Sequence, residues 1–232
     1  MIRGIEASRS GMAVEQLRTD VLADNIANIN TSGFKRSSAT STEFDTMLLY
    51  RMGDPTDAAP QQVGPLGNGS RVDRVVVDER QGDLRQTGRS LDLALTGPGY
   101  FLAQKPDGSL YRTRNGAFLQ MADGTITTTE GYTVLMEDGS GGRVPLVVPG
   151  IEPTFGADGT VLVDGQPVGL LALDGADATT RLHTGYLEAS NVDLAKEMTD
   201  LIVTLRAYQV NQRAMRVQDE TLSRAVTEIG KV

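Results

Sequence analysis

The chain has 232 residues, 39% of them hydrophobic and 22% charged, enough to bury a substantial core in one or two domains. Its 30 acidic and 22 basic side chains leave a net charge of −8, which argues against the nucleic-acid backbone as a partner because that binding rests on Lys and Arg. There is no cysteine, so neither disulfides nor thiolate chemistry is available, and 26 glycines with 5% aromatic residues point to many turns.

Residues 1–30 read as a helix. Ile2, Ile5, Met12, Val14, Leu17, Val21, Leu22, Ile26 and Ile29 fall near one side at helical spacing. Gly4 and Gly11 each weaken it by up to about 1 kcal/mol relative to alanine. The helix stops near Asn30-Thr31-Ser32-Gly33, a cluster that competes with helical hydrogen bonding. Met1 to Glu6 leads into mixed polar sequence, without the apolar segment of a secretory signal. No apolar run approaches a membrane span, so no direct membrane insertion is expected.

Residues 31–70 read as an extended, irregular linker. Phe44, Met47, Leu48 and Leu49 make a short apolar knot, followed by Gly53-Asp54-Pro55, Pro60 and Pro65. Pro and Gly at this density argue against regular elements.

Residues 71–187 read as an all-β domain. Val72–Val77 is β-branched, and Leu91, Leu93 and Leu95 alternate with Asp92 and Ala94, which puts the leucines on one face of a strand. Tyr100–Leu102, Gly131–Leu135, Val144–Val148, Val161–Val163 and Leu170–Leu173 are further strands. Between them fall Asp107-Gly108, Asp123-Gly124, Asp138-Gly139, Asp158-Gly159, Asp164-Gly165 and Asn115-Gly116, dipeptides that make tight hairpin turns. Strands at this spacing predict a small antiparallel barrel or sandwich.

Residues 188–232 hold a second helix with a heptad seam. Apolar residues recur in steps of four and three at Leu194, Met198, Leu201, Leu205, Tyr208, Met215, Leu222, Val226 and Ile229, and only Gln212 and Asp219 interrupt the line. Those two polar residues either set the register of a coiled coil or face a channel or solvent, and Glu197 lies off the seam. From Val192 to Ile229 such a helix is about 57 Å long, against a radius of gyration of roughly 17 Å for a globule of this size. It is expected to project and to pair with the N-terminal helix or with neighbours. The fold class is therefore α+β, with terminal helices pairing as a coiled coil around a central β domain. The alternative is two amphipathic helices packed on one core.

Chemistry is sparse. His183 is the single histidine, sits in a polar connection, and has no cysteine or clustered carboxylates to help it hold a metal. There is no Gly-x-Ser-x-Gly elbow, P-loop, Rossmann fingerprint or EF-hand spacing. No catalytic, cofactor-binding or metal-binding residue is assigned. A secreted β-barrel enzyme and a coiled-coil surface scaffold remain as other classes of reading.

Four ordered segments resemble the bacterial flagellar rod and hook proteins. The first is Thr19–Lys35, with Asn25-Ile26-Ala27-Asn28-Ile29-Asn30-Thr31-Ser32-Gly33-Phe34-Lys35 at its heart. It departs from the family pattern at Thr19, usually Leu, and at Asp24, usually Asn. The second is Gln86–Leu95 with Gly97-Pro98-Gly99-Tyr100-Phe101. The third is Tyr111–Phe118. The fourth is Gly185–Val192 followed by Arg206–Asn211. The resemblance implies a non-enzymatic subunit without cofactors, part of the basal-body rod in the cell envelope. It also implies paired terminal helices, export without a cleaved signal through the flagellar type III apparatus, and partnership with copies of itself and other axial proteins. Tyr50–Asn68 and Arg206-Ala207-Tyr208 are similar to the distal rod type. Gln86–Leu95 and Arg114-Asn115-Gly116 fit the proximal type as well, and the short link from Leu173 to Gly185 departs from the distal one. A hook protein usually carries further outer domains, for which this chain has no room.

Overall fold

The computed structural model describes residues 2–44, 47–51, 61–67, 69–138, 142–148, 150 and 153–229. The motif residues Gly53, Asp54, Pro55, Pro60, Asn68 and Gly139 lie outside them, as do the side chains of Met47, Leu48, Leu49 and Ile229. By contacts the chain divides into two compact units. One comprises Met1–Ala27, Ser37–Asp78 and Asp193–Val232; the other comprises Asn28–Arg36 and Glu79–Val192.

The first unit holds α1 (Ile2–Ala27), β1 (Ser37–Glu43), β2 (Met47–Arg51), β3 (Gln61–Leu66), β4 (Ser70–Val77) and α2 (Leu194–Ile229). Asp193 caps α2, its Oδ1 accepting the amides of Ala195 at 3.0 Å and Lys196 at 3.3 Å. α1 and α2 pack against each other antiparallel, with Asn25 beside Glu197 at one end and Gly4 beside Gln218 at the other.

The irregular linker read over 31–70 is corrected. β1 pairs β4 from Ser37↔Val77 to Glu43↔Ser70, and β2 pairs β3 from Met47↔Leu66 to Arg51↔Gln61. They are two antiparallel two-stranded ribbons, with β2 and β3 falling between β1 and β4 in chain order. Pro65 and Gly64 argued against strands, but in a two-stranded ribbon every strand is an edge, and edges accept both residues.

The second unit holds, in chain order, β5 (Leu84–Gln86), β6 (Leu93–Thr96), β7 (Tyr100–Gln104), β8 (Leu110–Thr113), β9 (Phe118–Gln120), β10 (Ile126–Thr128), β11 (Thr133–Glu137), β12 (Arg143–Pro145), β13 (Thr154–Phe155), β14 (Thr160–Val163), β15 (Gln166–Leu171), β16 (Leu173–Asp174), β17 (Arg181–Thr184) and β18 (Tyr186–Glu188). One sheet runs β13-β14-β15-β11-β10-β9, with β7, β8, β12 and β16 branching from it; β6 pairs β17, and β5 pairs β18, all antiparallel. Among the described residues these strands do not close into a barrel. β11 pairs β10, β12, β15 and β7 in short ladders, so the sheet forks instead of running as a ring.

Its core gathers Leu93, Leu95, Phe101, Phe118, Ile126, Val134, Leu146 and Val161. The rings of Phe101 and Phe118 meet edge-on at 5.2 Å. Leu91, Leu93 and Leu95 are buried as their alternation predicts, but so are Asp92 and Ala94, because both faces of this segment are covered. Asp164-Gly165 turns with φ 53° and 76° in succession, joining β14 to β15 as a hairpin turn with positive φ at both residues should. Asn115-Gly116 does not close a hairpin. Gly116 passes so close to the Leu93 carbonyl that a Cβ would collide with it, and its own carbonyl accepts the Leu93 amide at 3.0 Å.

Candidate functional site

Among the described residues no group of three or more His, Asp or Glu is placed to hold a metal. His183 is not in a polar connection. It lies on β17 opposite Ala94, with its ring 6.2 Å from that of Tyr186.

In the β-rich unit, the segments that carry the family resemblance converge on Glu188. β18 holds this residue with its side chain fully buried. One carboxylate oxygen accepts Lys35 Nζ at 2.5 Å and the Gly82 amide at 2.9 Å; the other accepts an Arg114 guanidinium nitrogen at 3.3 Å. Lys35 also donates to the Arg80 carbonyl at 2.9 Å, and Arg114 to the Gly97 carbonyl at 2.6 Å. The Arg114 guanidinium lies 5.4 Å from the Tyr100 ring centre, a cation–π distance. Burial, then the neighbouring Glu79 carboxylate, pushes the Tyr100 hydroxyl above its ordinary pKa.

The motif glycines serve the same junction. Gly33 has φ 71°, donates its amide to the Glu188 carbonyl at 2.7 Å, and lies so close to the Arg114 backbone that any Cβ would collide with it. The Gly185 carbonyl accepts the amides of Thr87 at 2.8 Å and Gly88 at 3.1 Å. Asn191 accepts the Arg36 amide at 2.7 Å and donates to the Arg80 carbonyl at 2.9 Å. Asn28 and Thr31 bond each other where the chain leaves α1. Asn30 and Ile29 line a cleft of about 120 Å³ with Ser32, Arg85 and Leu187; Ile29 thus lies beyond α1 and off its helical face. Phe34 is half-buried, its amide bonded to the Thr31 carbonyl. These contacts are structural ties, and no nucleophile–base pair is among them.

In the helical unit, Asn25 is fully buried. It donates to the Ser37 carbonyl at 2.7 Å and to Glu197 Oε2 at 2.9 Å, and accepts the Ser37 amide at 2.9 Å. It thereby ties α1, β1 and α2 together. Glu197, off the seam in the sequence reading, is fully buried at this tie.

The seam divides. Leu201, Tyr208, Met215 and Leu222 are half-buried, as are Leu17, Val21 and Ile26 on α1. Leu194, Met198, Leu205 and Val226 are exposed, and so are Gln212 and Asp219, so those two do not key the contact with α1. The line of α2 turned to α1 is instead Glu197, Thr204, Asn211 and Gln218, one residue N-terminal to each of Met198, Leu205, Gln212 and Asp219. A step of one residue rotates by about 100°. Leu205 therefore lies on one flank of the buried line, and Val203, Val210 and Val217, all exposed, lie on the other.

The description "Flagella basal body rod protein" matches residues 5–35, "Flagellar hook protein FlgE/F/G D1 domain" matches 94–163, and "Flagellar basal body rod FlgEFG protein C-terminal" matches 183–228. The flagellar basal-body rod protein FlgG of Bacillus subtilis is 32% identical over 266 residues, covering 97% of this chain and 98% of the relative. The chain belongs to the flagellar basal-body rod protein family. Like other rod proteins it is a structural protein of the flagellum. FlgG of Agrobacterium fabrum is 31% identical over 273 residues, covering 96% of this rod protein and 97% of its own length. The rod protein FlgF of Rhizobium meliloti is 31% identical over 249 residues, covering 97% and 96%. Among the described residues of this rod protein, no helix is long and apolar enough to cross a membrane.

Proposed function

We propose that this rod protein polymerises through the exposed lines of α2 into a helical tubular shaft that transmits torque, its terminal helices forming a coiled-coil layer. One observation carries the reading: Leu194, Met198, Leu205 and Val226 stay exposed beside the half-buried Leu201, Tyr208, Met215 and Leu222. With the three valines on the other flank, one helix offers apolar surface to neighbours on two sides. Contacts of that head-to-tail kind build a filament and not a closed dimer. Each buried Leu or Met contributes about 1.5–3 kcal/mol. Leu205→Asp buries an unpaired charge in the assembly but leaves it solvated in the free chain, because Leu205 is 44% exposed there. The variant is expected to keep its melting transition and lose polymerisation, seen by sedimentation and electron microscopy, while the exposed control Arg213→Gln assembles. Polymerisation of Leu205→Asp at the parent concentration refutes the seam.

The reading also takes the chain out of the cytoplasm through the flagellar export apparatus, with the information in α1. Removal of Met1–Ala27, which spares the Lys35–Glu188 pair, is expected to keep the protein inside the cell; unchanged secretion refutes this. The FlgG-named relatives favour the distal type. The FlgF relative, at similar identity, favours the proximal one as the second reading. Complementation of hosts lacking one or the other rod protein separates the two.

A further inference from the structure

The residues that meet between α1 and α2 recur at every seventh position on both helices. Asn25 bonds Glu197 at 2.9 Å. Two heptads toward the start of α1, a Cβ on Gly11 would stand 2.9 Å from Asn211 Nδ2, and one heptad further a Cβ on Gly4 would fall on the Gln218 carboxamide. The step left between them sets Arg18 level with Thr204, which is buried. At these levels α2 presents only polar residues, Glu197, Thr204, Asn211 and Gln218, with the half-buried Leu201, Tyr208, Met215 and Leu222 alternating beside them, and the polar residues meet one asparagine and two glycines along α1.

Leucines on this line would bury more apolar area. Gln218 Oε1 is buried with no hydrogen-bond partner among the described residues, so this side chain costs stability where it stands. What a polar line provides is a single alignment, since a slipped apolar seam loses little and a slipped polar one loses its partners. A slip of one heptad one way takes Glu197 off Asn25 and brings Asn211 against Arg18. A slip the other way carries Asn25 past the start of α2.

We propose that Asn25 with Glu197, Gly11 with Asn211, and Gly4 with Gln218 form a register key that fixes how α1 lies along α2. The two glycines are the gaps that receive the carboxamides. The key decides which side of α2 is covered by its own chain and which side chains remain outside. It acts within one chain and does not depend on the assembly reading; a measurement on the monomer tests it alone.

The chain has no cysteine, so Gln16→Cys and Arg216→Cys, both at exposed positions, place two spin labels uniquely on the full-length protein. A one-heptad slip moves one helix past the other by about 10 Å. The parent should give one inter-label distance. Asn211→Leu combined with Gln218→Leu should keep the helical signal and add a second, displaced distance; an unchanged single distance overturns the proposal. Where the leucine pair instead separates the helices, a second set decides. Gly11→Asn alone should broaden the distance, and Gly11→Asn with Asn211→Gly, which moves the carboxamide to the other helix, should restore the parent value. Failure of that double variant to improve on Gly11→Asn overturns the key.

Discussion

Glu188→Gln tests whether the buried charge cluster holds the β-rich unit together. The substitution keeps the volume of the side chain but removes its charge, and turns one acceptor oxygen into an NH2 group facing Lys35 or Arg114. The side chains of Lys35 and Arg114 are 7% and 6% exposed, so neither cation can turn to water without moving the segment that carries it. Removing one partner of a buried pair costs about 3–5 kcal/mol, because the charge left behind stays buried and uncompensated. For a domain of this size each kcal/mol moves the midpoint by roughly 3–6 °C, so the β transition should fall by about 9–30 °C. Thermal unfolding followed by circular dichroism at pH 7 reads this directly. Arg112→Ala supplies the scale, since it breaks a pair whose side chains are 63% and 39% exposed and should cost about 0–1 kcal/mol. If Glu188→Gln lowers the midpoint no further than Arg112→Ala, the cluster is not what ties these segments.

Asn25→Asp should destabilise the helical unit more than Asn25→Ala, by about 3–5 kcal/mol in urea unfolding, because it sets a second carboxylate against buried Glu197 and removes two donated hydrogen bonds; equal stability of the two variants refutes the tie. The turn aspartates predict an acid limit. Asp107 is held below the ordinary carboxylate pKa by the Ser109 hydroxyl and then its amide, Asp123 by the Thr125 amide, Asp158 by the Thr160 hydroxyl, and Asp177 by the Thr179 hydroxyl. Their contribution is complete above the unfolded value of about 3.9 and is lost as pH falls through the depressed folded values. Carboxyl titration by NMR should place all four midpoints below 3.9; midpoints at or above it contradict the turn geometry.

Much of the fold is legible because its signals are local. The helices announce themselves by periodicity, and most of the core strands by β-branched runs between Asp-Gly turns. The β1–β4 ribbon is not legible: Ser37–Glu43 carries no buried face, so no apolar alternation marks it. The branching sheet is hidden because pairings such as Leu173↔Phe101 join residues far apart in the chain. The seam misleads for a different reason. Leu201, Tyr208, Met215 and Leu222 belong equally to the apolar line ending at Ile229 and to the polar line through Glu197 and Gln218. Hydropathy alone selects the apolar one, while Asn211 and Gln218 opposite Gly11 and Gly4 could have pointed to the other. Of the motif residues, Asn25, Gly33 and Lys35 do bond to distant segments, but their partners Glu188 and Glu197 follow from no local rule.

Those partners set an order of events. Lys35 waits across 153 residues for Glu188, and Asn25 across 172 for Glu197. Loops of that length close late, and topologies that depend on them fold slowly. A chain that appears N-terminus first can bring neither tie to completion until its final fifth has emerged. Until then Lys35, Arg114 and Asn25 lack the carboxylates they enclose. Each unit therefore stays unfinished until the strand or the helix that brings its carboxylate is in place.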